Sequence, residues 1–340
     1  MSASMLLGLV VAVIIVALIF DFINGFHDTA NAIATVVSTG VLPLRTAIYL
    51  AALLNFVGAF TGTAVASTIG KGIITPDSIT LVVVFSALVG AIFWNLFTWY
   101  FGIPSSSSHA MVGGLIGAGI AHSGTSSIQG QGLTKIISSL VISPLLGMVV
   151  AFTLMIGIYW AFRRAAPAGT APLFRRLQML SAGFMALSHG SNDAQKTMGV
   201  ITMSLVAAGY LVAPETGKMS VPLWVVIASA VAMGLGTAAG GVRIIKTLGT
   251  KIIDLKPMHG FAAETAAATV IFTASHYGLP VSTTHCISGS ILGVGASQRV
   301  SAVRWGITTR ILWAWVLTIP ISALSAFLTY WPTSFLTGAQ

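Results

Sequence analysis

Ten long apolar segments, arranged as two sets of five, constrain the fold of this chain more than any other feature. They cover residues 5–40, 45–67, 79–101, 104–120 and 136–162, and then 177–212, 222–243, 259–277, 280–297 and 304–331. A backbone inside hydrocarbon must satisfy its own hydrogen bonds, which restricts spanning structures to helices and closed barrels. The segments show no alternation with a period of two residues, so we expect helices and not a β-barrel. The sequence therefore predicts an all-α polytopic membrane protein of about ten to twelve membrane segments.

The composition supports a membrane protein and excludes several function classes. Hydrophobic residues make up 56% of the chain and charged residues only 7%, against roughly a quarter in soluble proteins. The net charge of +9 comes mostly from loop residues, where basic groups report topology and do not form a nucleic-acid footprint. Cys286 is the single cysteine, which excludes intrachain disulfides and cysteine-rich metal centres. Because no phosphate-binding loop, zinc pattern or nucleophile motif is present, we expect no cofactor, no metal centre and no enzyme activity.

The two sets of segments match one another in sequence. Each half contains an aspartate inside an apolar stretch, and each contains a proline followed by serines or threonines and a histidine. The matched pairs are Asp28 with Asp193, 103–113 with 279–289 and, more weakly, 68–74 with 247–253. Three anchors in the same order indicate a duplicated chain.

A basic linker, residues 163–176, separates the first repeat (1–162) from the second (177–340). If its four arginines lie in the cytoplasm, most other loop cations also lie inside, as the positive-inside rule requires. Only three lysines then lie clearly outside: Lys71, Lys135 and Lys218. This arrangement places both termini outside and relates the halves as an inverted-topology repeat, which is common in secondary transporters.

Two segments in each half are expected to differ from simple spanning helices. Residues 5–40 and 177–212 would each be ~54 Å long at 1.5 Å per residue, against a ~30 Å hydrocarbon core. Each carries its aspartate near a glycine, so we predict a broken helix in both. Residues 104–120 and 280–297 are short and rich in Ser, Thr and Gly, so we predict re-entrant hairpins. Paired interruptions at matching positions indicate a binding site between the halves.

Hydroxyl side chains at the start of the two short helices predict an anion site. They are Ser106, Ser107, Ser108, Ser282, Thr283 and Thr284. Hydroxyls and free amides at a helix N-terminus bind anions, and two facing sets would suit a tetrahedral oxyanion. Capping and packing between helices by the same hydroxyls is the alternative.

Asp28 and Asp193 would repel a bare anion, so we expect a cation beside them. A sodium ion or a shared proton would remove the repulsion. The alternative for the pair is a salt bridge to Lys196 or a helix cap. Asn31 and Asn192 are expected to complete the polar shell around the anion.

Three further side chains are candidates for this site. Lys196 lies three residues after Asp193, on the same helical face, and would either contact the anion or keep Asp193 ionised. His27 is a candidate proton carrier, because histidine titrates near neutral pH, with an ordinary hydrogen bond as the alternative. Glu264 would be a coupling-ion ligand or proton relay, or else make an interhelical hydrogen bond. The other acidic residues lie at segment ends or in loops and are expected to be solvated: Asp21, Asp77, Glu215 and Asp254.

Four stretches resemble the inorganic phosphate transporter family, and in particular its bacterial low-affinity branch. They are 24–32 (Asn-Gly-Phe-His-Asp-Thr-Ala-Asn-Ala), 102–109 (Gly-Ile-Pro-Ser-Ser-Ser-Ser-His), 188–196 (Ser-His-Gly-Ser-Asn-Asp-Ala-Gln-Lys) and 279–285 (Leu-Pro-Val-Ser-Thr-Thr-His). The resemblance implies phosphate symport by an integral protein of the bacterial plasma membrane. It also implies that the acidic motifs and the Ser/Thr half-helices bind phosphate and a cation. The expected partners are phosphate, a coupling ion and lipid, with a homo-oligomer allowed and no nucleic acid.

One difference from the sodium-coupled members bears on the coupling ion. Those members resemble Asn-Asp-x-x-Asn in both halves, whereas this chain has His27 before its first aspartate and Lys196 in place of the later asparagine. A fixed ammonium competes with sodium for the same carboxylate field. We therefore predict coupling to protons, or uptake of a neutral metal–phosphate complex, over sodium symport. A sulfate permease is the main alternative; an anion channel and a membrane enzyme are less favoured.

Overall fold

The computed structural model describes residues 2–212 and 219–338, without the side chains of residues 70–72 and 167–168, and its regular structure is helical. In this part of the chain the α-helices are α1 (Ala3–Ser38), α2 (Leu44–Gly58), α3 (Ala64–Gly72), α4 (Leu81–Phe101), α5 (Ser107–Ser123), α6 (Gly130–Ala161), α7 (Pro167–Ala207), α8 (Leu223–Ala239), α9 (Val242–Thr250), α10 (Pro257–His276), α11 (Thr283–Gln298) and α12 (Trp305–Thr337). The predicted all-α class is confirmed.

Among the described residues, four helices are long and apolar enough to span a bilayer: α1, α4, α6 and α12. Helices α8 and α9 reach this length only as a pair, and they are bent by 72° at the break between them. Large apolar side chains on α6 and α12 are exposed, including Trp160, Trp313 and Leu328. An apolar outer surface of this kind is expected where helices face lipid rather than water.

Helices from one half pack against helices from the other half in matching pairs. Helix α1 packs on α8 as α7 packs on α2, and α5 packs on α12 as α11 packs on α6. A single hydrogen bond is also repeated: Thr68 Oγ1 donates to the Gly278 carbonyl at 2.6 Å, and Thr247 Oγ1 to the Gly102 carbonyl at 2.9 Å. Such matching contacts are expected of a duplicated chain. The opposite orientation of the halves in the membrane stays a prediction.

The prediction that α1 and α7 are broken at the acidic motifs is wrong. Both run without interruption, over 36 and 41 residues. Their glycines serve close packing and not a break: a Cβ on Gly25 would lie 2.5 Å from the Met233 carbonyl oxygen, and one on Gly190 would overlap the Asn55 carbonyl. The interruptions fall instead between α2 and α3 and between α8 and α9.

Gly190→Ala is expected to destabilise the protein by about 1–3 kcal/mol, because the added methyl group would be forced onto the α2 backbone. The measurement is the thermal midpoint of the detergent-solubilised protein, followed by size-exclusion chromatography. Gly157→Ala is the matched control, since a Cβ there meets nothing within 4 Å. Equal midpoints for the two variants would contradict this account of Gly190.

The two short Ser/Thr-rich segments each form a helix after an extended stretch, while their re-entrant course in the membrane stays a prediction. Helix α4 is followed by an extended stretch and then by α5, and α10 is followed in the same way by α11. Ser106 and Ser282 are the N-cap residues of α5 and α11. Side chains near the ends of α4 and α10 reach the middle of α1 and α7, as Thr98 does at His27 and Ser275 at Asn192. The hairpin tips therefore meet the acidic motifs.

The expected solvation of the minor acidic residues holds for two of them and fails for one. Asp77 and Asp254 are exposed. Asp21 has no exposed surface: α1 continues past it for more than four turns, and residues of α7 lie beside it. Glu215 lies outside the described residues.

Residues 162–166 separate α6 from α7. The second part of the predicted linker therefore forms the start of α7, which places Arg175 and Arg176 on a helix. Arg175 Nη2 donates to the Gly40 carbonyl at 2.9 Å, so the basic segment contacts the end of α1.

Candidate functional site

The aspartates of the two halves meet in the interior of the protein. Asp28 lies on α1 and Asp193 on α7, and neither is more than 1% exposed. Together with His189 they present one possible ligand atom each, all within 4.8 Å of one another. Two carboxylates this close repel unless cations or protons compensate them.

Asp28 is held by groups from three helices. His27 Nδ1 lies 2.7 Å from its Oδ1. Ser107 Oγ, in the first turn of α5, donates to its Oδ2 at 3.1 Å, and Thr284 Oγ1, in the first turn of α11, donates to its Oδ1 at 3.4 Å. The hydroxyl-rich starts of both short helices thus converge on one carboxylate.

The second nitrogen of His27 leads to a pair of hydroxyl groups. Nε2 lies 3.1 Å from Thr98 Oγ1 and 3.4 Å from Ser105 Oγ, and these two hydroxyls are 2.7 Å apart. A hydroxyl can either donate or accept a hydrogen bond. Both nitrogens of His27 therefore have partners whether its imidazole is neutral or protonated.

Asp193 has a different set of neighbours. Lys196 Nζ donates to its Oδ1 at 2.7 Å, and both side chains are fully buried. Thr283 Oγ1 donates to its Oδ2 at 3.3 Å, Asn24 Nδ2 donates at 3.4 Å, and His189 Nε2 lies 3.4 Å away. A buried ammonium is strongly disfavoured without such a partner, so the structure pairs Lys196 with Asp193.

The two predicted asparagines bridge elements at the site. Asn31 Nδ2 donates to Thr284 Oγ1 at 2.9 Å and to Thr283 Oγ1 at 3.3 Å. With the amide of Asn192 oriented to satisfy its neighbours, its nitrogen donates to the Val281 carbonyl at 3.1 Å and to Asp193 Oδ1 at 3.3 Å. Both asparagines therefore fix the α11 end of the second hairpin against α1 and α7.

Three of the predicted hydroxyls are engaged away from the carboxylates. The side chains of Ser106 and Ser282 accept from the backbone amides three residues further on, at 3.3 and 3.2 Å. Ser108 Oγ donates to the Val281 carbonyl at 3.1 Å and joins the two hairpins. The structure thus assigns capping or packing contacts to these three, while Ser107, Thr283 and Thr284 contact the aspartates.

Glu264 belongs to a separate buried cluster. Its oxygens accept from Thr35 Oγ1 at 2.5 Å, from Ser181 Oγ at 2.5 Å and from Gln178 Nε2 at 3.1 Å. Thr35 lies about two turns beyond Asp28 on α1. The interhelical hydrogen bonds expected as the alternative for Glu264 are present, and no hydrogen bond joins it to the two aspartates in the described residues.

Sequence reasoning did not assign roles to His189, Asn24 and Thr98, and it included Ser105 only as one of the four serines before α5 that were expected to bind an anion. His189 lies four residues before Asp193, and this spacing puts both side chains on one helical face. The spacing alone could therefore have identified His189 as a neighbour of Asp193. Asn24 occupies the equivalent position before Asp28 and yet reaches across to Asp193. Thr98 and Ser105 could not be placed without the hairpin geometry.

The chain is similar to known proteins over most of its length. A sequence model of the phosphate transporter family matches residues 24–326, which include both acidic motifs and both hairpins. The chain belongs to the phosphate transporter family. It is 52% identical over 331 residues to a probable low-affinity inorganic phosphate transporter of Rhizobium meliloti (strain 1021), which covers 97% of this chain and 98% of that protein. It is 50% identical over 329 residues to a probable low-affinity inorganic phosphate transporter of Bacillus subtilis (strain 168), which covers 96% of this chain and 98% of that one.

The fold of the transporter also resembles a solved structure, described as the sodium-dependent phosphate transporter. The TM-score is 0.89 at 26% identity, with 97% of this chain and 100% of that one covered. The predicted family and the prediction of a transporter rather than an enzyme are confirmed. The apolar helices together with the family make the transporter an integral membrane protein.

Proposed function

We propose that the transporter imports inorganic phosphate across the bacterial plasma membrane together with protons. Protons are favoured over sodium because each central carboxylate already has a basic group 2.7 Å away: His27 beside Asp28, and Lys196 beside Asp193. Lys196 balances Asp193 without any added ion. An incoming phosphate then needs further positive charge beside Asp28, which a proton on His27 would supply.

The phosphate is proposed to bind between the starts of α5 and α11. The hydroxyls of Ser107, Thr283 and Thr284 and the amide of Asn31 meet there, beside the free amides of two helix N-termini. In the structure these donors hydrogen-bond to the carboxylates or to one another. A bound oxyanion would accept these hydrogen bonds instead. Asn192 and Lys196 are further proposed phosphate contacts. Ser106, Ser108 and Ser282 stay proposed contacts as well, and they would have to exchange their present capping or packing hydrogen bonds for the anion.

His27 is proposed to carry the coupling proton. When its imidazole is neutral, Nδ1–H donates to Asp28 and Nε2 accepts from a hydroxyl; when it is protonated, Nε2 donates to the oxygen of Thr98 or Ser105. Because the hydroxyls serve either state, His27 can gain and lose a proton without leaving a buried polar atom unpaired. Asp28, Asp193 and Glu264 are the other proposed coupling groups.

Transport is proposed to use the two halves as an inverted repeat. The matching helix pairs and the repeated Thr68 and Thr247 hydrogen bonds support a twofold relation of the halves. With the basic linker in the cytoplasm, both termini lie outside. A site at the meeting point of two such halves can be exposed alternately to either side.

A sodium-coupled symporter is the second candidate. The structural relative is described as sodium-dependent, and Asp28, His189 and Asp193 present three ligand atoms within 4.8 Å. The same three groups could hold a divalent ion that travels as a neutral metal–phosphate complex. Both candidates require the ion to compete with Lys196 for Asp193.

Uptake of radiolabelled phosphate into proteoliposomes tests the coupling ion. We expect an inward proton gradient to drive accumulation, a protonophore to abolish it, and replacement of sodium by choline to leave it unchanged. Liposomes without protein are the control. Strict dependence on sodium would contradict proton coupling, and loss of uptake in the presence of a divalent-ion chelator would favour the metal–phosphate complex.

A further inference from the structure

A small polar cavity lies beside the central site, at the interruption between α2 and α3. It has a volume of about 130 Å³, which is room for several water molecules. Its walls include Thr61, Ala64, Ser191, Gln195, Ser275 and His276. Ser275 Oγ also hydrogen-bonds to Asn192 at 2.8 Å, so one wall residue of the cavity contacts the sequence neighbour of Asp193.

The sequence repeat assigns a twin position to each of these wall residues. The three anchors of the repeat, Thr68 with Thr247, Asp28 with Asp193 and Pro104 with Pro280, fix the correspondence. The pairs are Thr61 with Gly240, Ala64 with Arg243, Ser191 with Phe26, Gln195 with Ala30, Ser275 with Trp99 and His276 with Tyr100. The matching hydrogen bonds from Thr68 and Thr247 support this register in the structure.

The twin residues contact one another at the end of α4 and the start of α9. The guanidinium of Arg243 lies 5.0 Å from the ring centre of Tyr100 and 5.4 Å from that of Trp99, and it donates to the Tyr100 carbonyl. Trp99 packs edge-on against Phe26 with the ring centres 5.2 Å apart. We call Arg243, Trp99, Tyr100 and Phe26 the arginine plug. Ala30, the twin of the cavity-wall residue Gln195, is fully buried.

We propose that the polar cavity is the route by which phosphate reaches the central site from outside, and that the arginine plug is the closed gate of the equivalent route to the cytoplasm. This inference rests on the proposed transport of phosphate. The sidedness follows from the basic residues of α9, which the positive-inside rule places in the cytoplasm. Arg243 is exposed, and with the plug open it would lie beside the path of the leaving anion, where a cation attracts phosphate.

Cysteine labelling in vesicles of known orientation tests the two routes. The background is Cys286→Ala, which removes the single cysteine, and the probe is a charged maleimide that does not cross membranes. We expect Ala64→Cys to react from the outside, more slowly when phosphate is present. We expect Ala30→Cys to react from neither side.

Arg243→Ala is expected to open the plug. Ala30→Cys should then react from the cytoplasmic side at least about tenfold faster, which corresponds to about 1.4 kcal/mol of lost gate stability. Arg243→Lys keeps the charge but lacks the planar group that stacks on two rings. With this substitution, Ala30→Cys should react at a rate between those measured with the native arginine and with Arg243→Ala. Arg243→Cys, at an exposed position, should react only from the cytoplasm and gives a test of sidedness without altering a buried residue.

Two results would overturn the proposal. One is reaction of Ala64→Cys only from the cytoplasmic side; the other is an equal rate for Ala30→Cys with and without Arg243→Ala. Phosphate uptake in the same vesicles separates this inference from the proposed function. If phosphate uptake is normal but the labelling pattern is wrong, the two proposed routes are refuted and phosphate transport is not. If the labelling is as expected but no phosphate is taken up, phosphate is refuted as the substrate and the routes are not.

Discussion

Asp28→Asn and Asp193→Asn are each expected to reduce phosphate uptake at least about a hundredfold, which corresponds to roughly 2.7 kcal/mol of transition-state stabilisation. Asp28 accepts hydrogen bonds from side chains on three helices, and Asp193 compensates the charge of Lys196. Each carboxylate therefore holds several side chains of the site in position. Breaking a buried charge pair from one side costs about 3–5 kcal/mol. An amide of the same shape keeps the packing but cannot accept all of these hydrogen bonds at both of its ends.

The measurement is the initial rate of phosphate uptake into proteoliposomes, normalised to folded protein by size-exclusion chromatography. Asp254→Asn is the matched control, because the side chain of Asp254 is 92% exposed and its ion pair with Arg304 lies at the surface. Such pairs contribute about 0–1 kcal/mol, so this variant should transport normally. Normal transport by either Asp28→Asn or Asp193→Asn would refute a shared site.

The composition of the central site could be predicted because the duplication displays it twice. A carboxylate in an apolar helix is expensive, and finding one in each half before a hydroxyl-rich half-helix indicates where the halves meet. The structure brings Asp28 and Asp193 to the starts of α5 and α11 as this reasoning requires. Repetition of a motif thus locates a site even where no single copy would.

The helix breaks could not be predicted in the same way. A glycine beside a buried charge suggests an interruption, but Gly25 and Gly190 are pressed against neighbouring backbones inside continuous helices. This distinction depends on a partner helix that local sequence does not reveal. The true break after α8 falls at Gly240 and Gly241, a tandem pair of the kind that commonly kinks a helix.

Burial of single polar residues was also beyond local reasoning. Asp21 stands near the end of the most apolar part of its segment, which suggested solvation, but α1 continues and other helices cover it. Glu264 was correctly placed inside the protein, yet its partners Thr35 and Ser181 come from two other helices. Hydropathy gives the depth of a residue and does not give its neighbours.

Lys196→Asn is expected to make phosphate uptake dependent on sodium. The variant leaves Asp193 without the ammonium that lies 2.7 Å from it in the native protein. An uncompensated buried carboxylate is unfavourable by several kcal/mol, and a cation from solution can remove that cost. The internal repeat provides the model for this change, because the equivalent residue in the first half is Asn31, a neutral amide.

In this variant we expect uptake to be at least about tenfold faster in sodium chloride than in choline chloride, since an ion that binds only the competent state stabilises it by RT ln(1 + [Na⁺]/Kd). The native protein should show no such difference. Lys196→Arg is the matched control, because it keeps a fixed positive charge beside Asp193 and should remain independent of sodium. If Lys196→Asn takes up phosphate quickly and at the same rate in both salts, then Lys196 does not replace the charge of a coupling ion. If the native protein itself required sodium, Asp193 would have to bind the ion despite its lysine, and the trio of Asp28, His189 and Asp193 would become the leading candidate for the ion site.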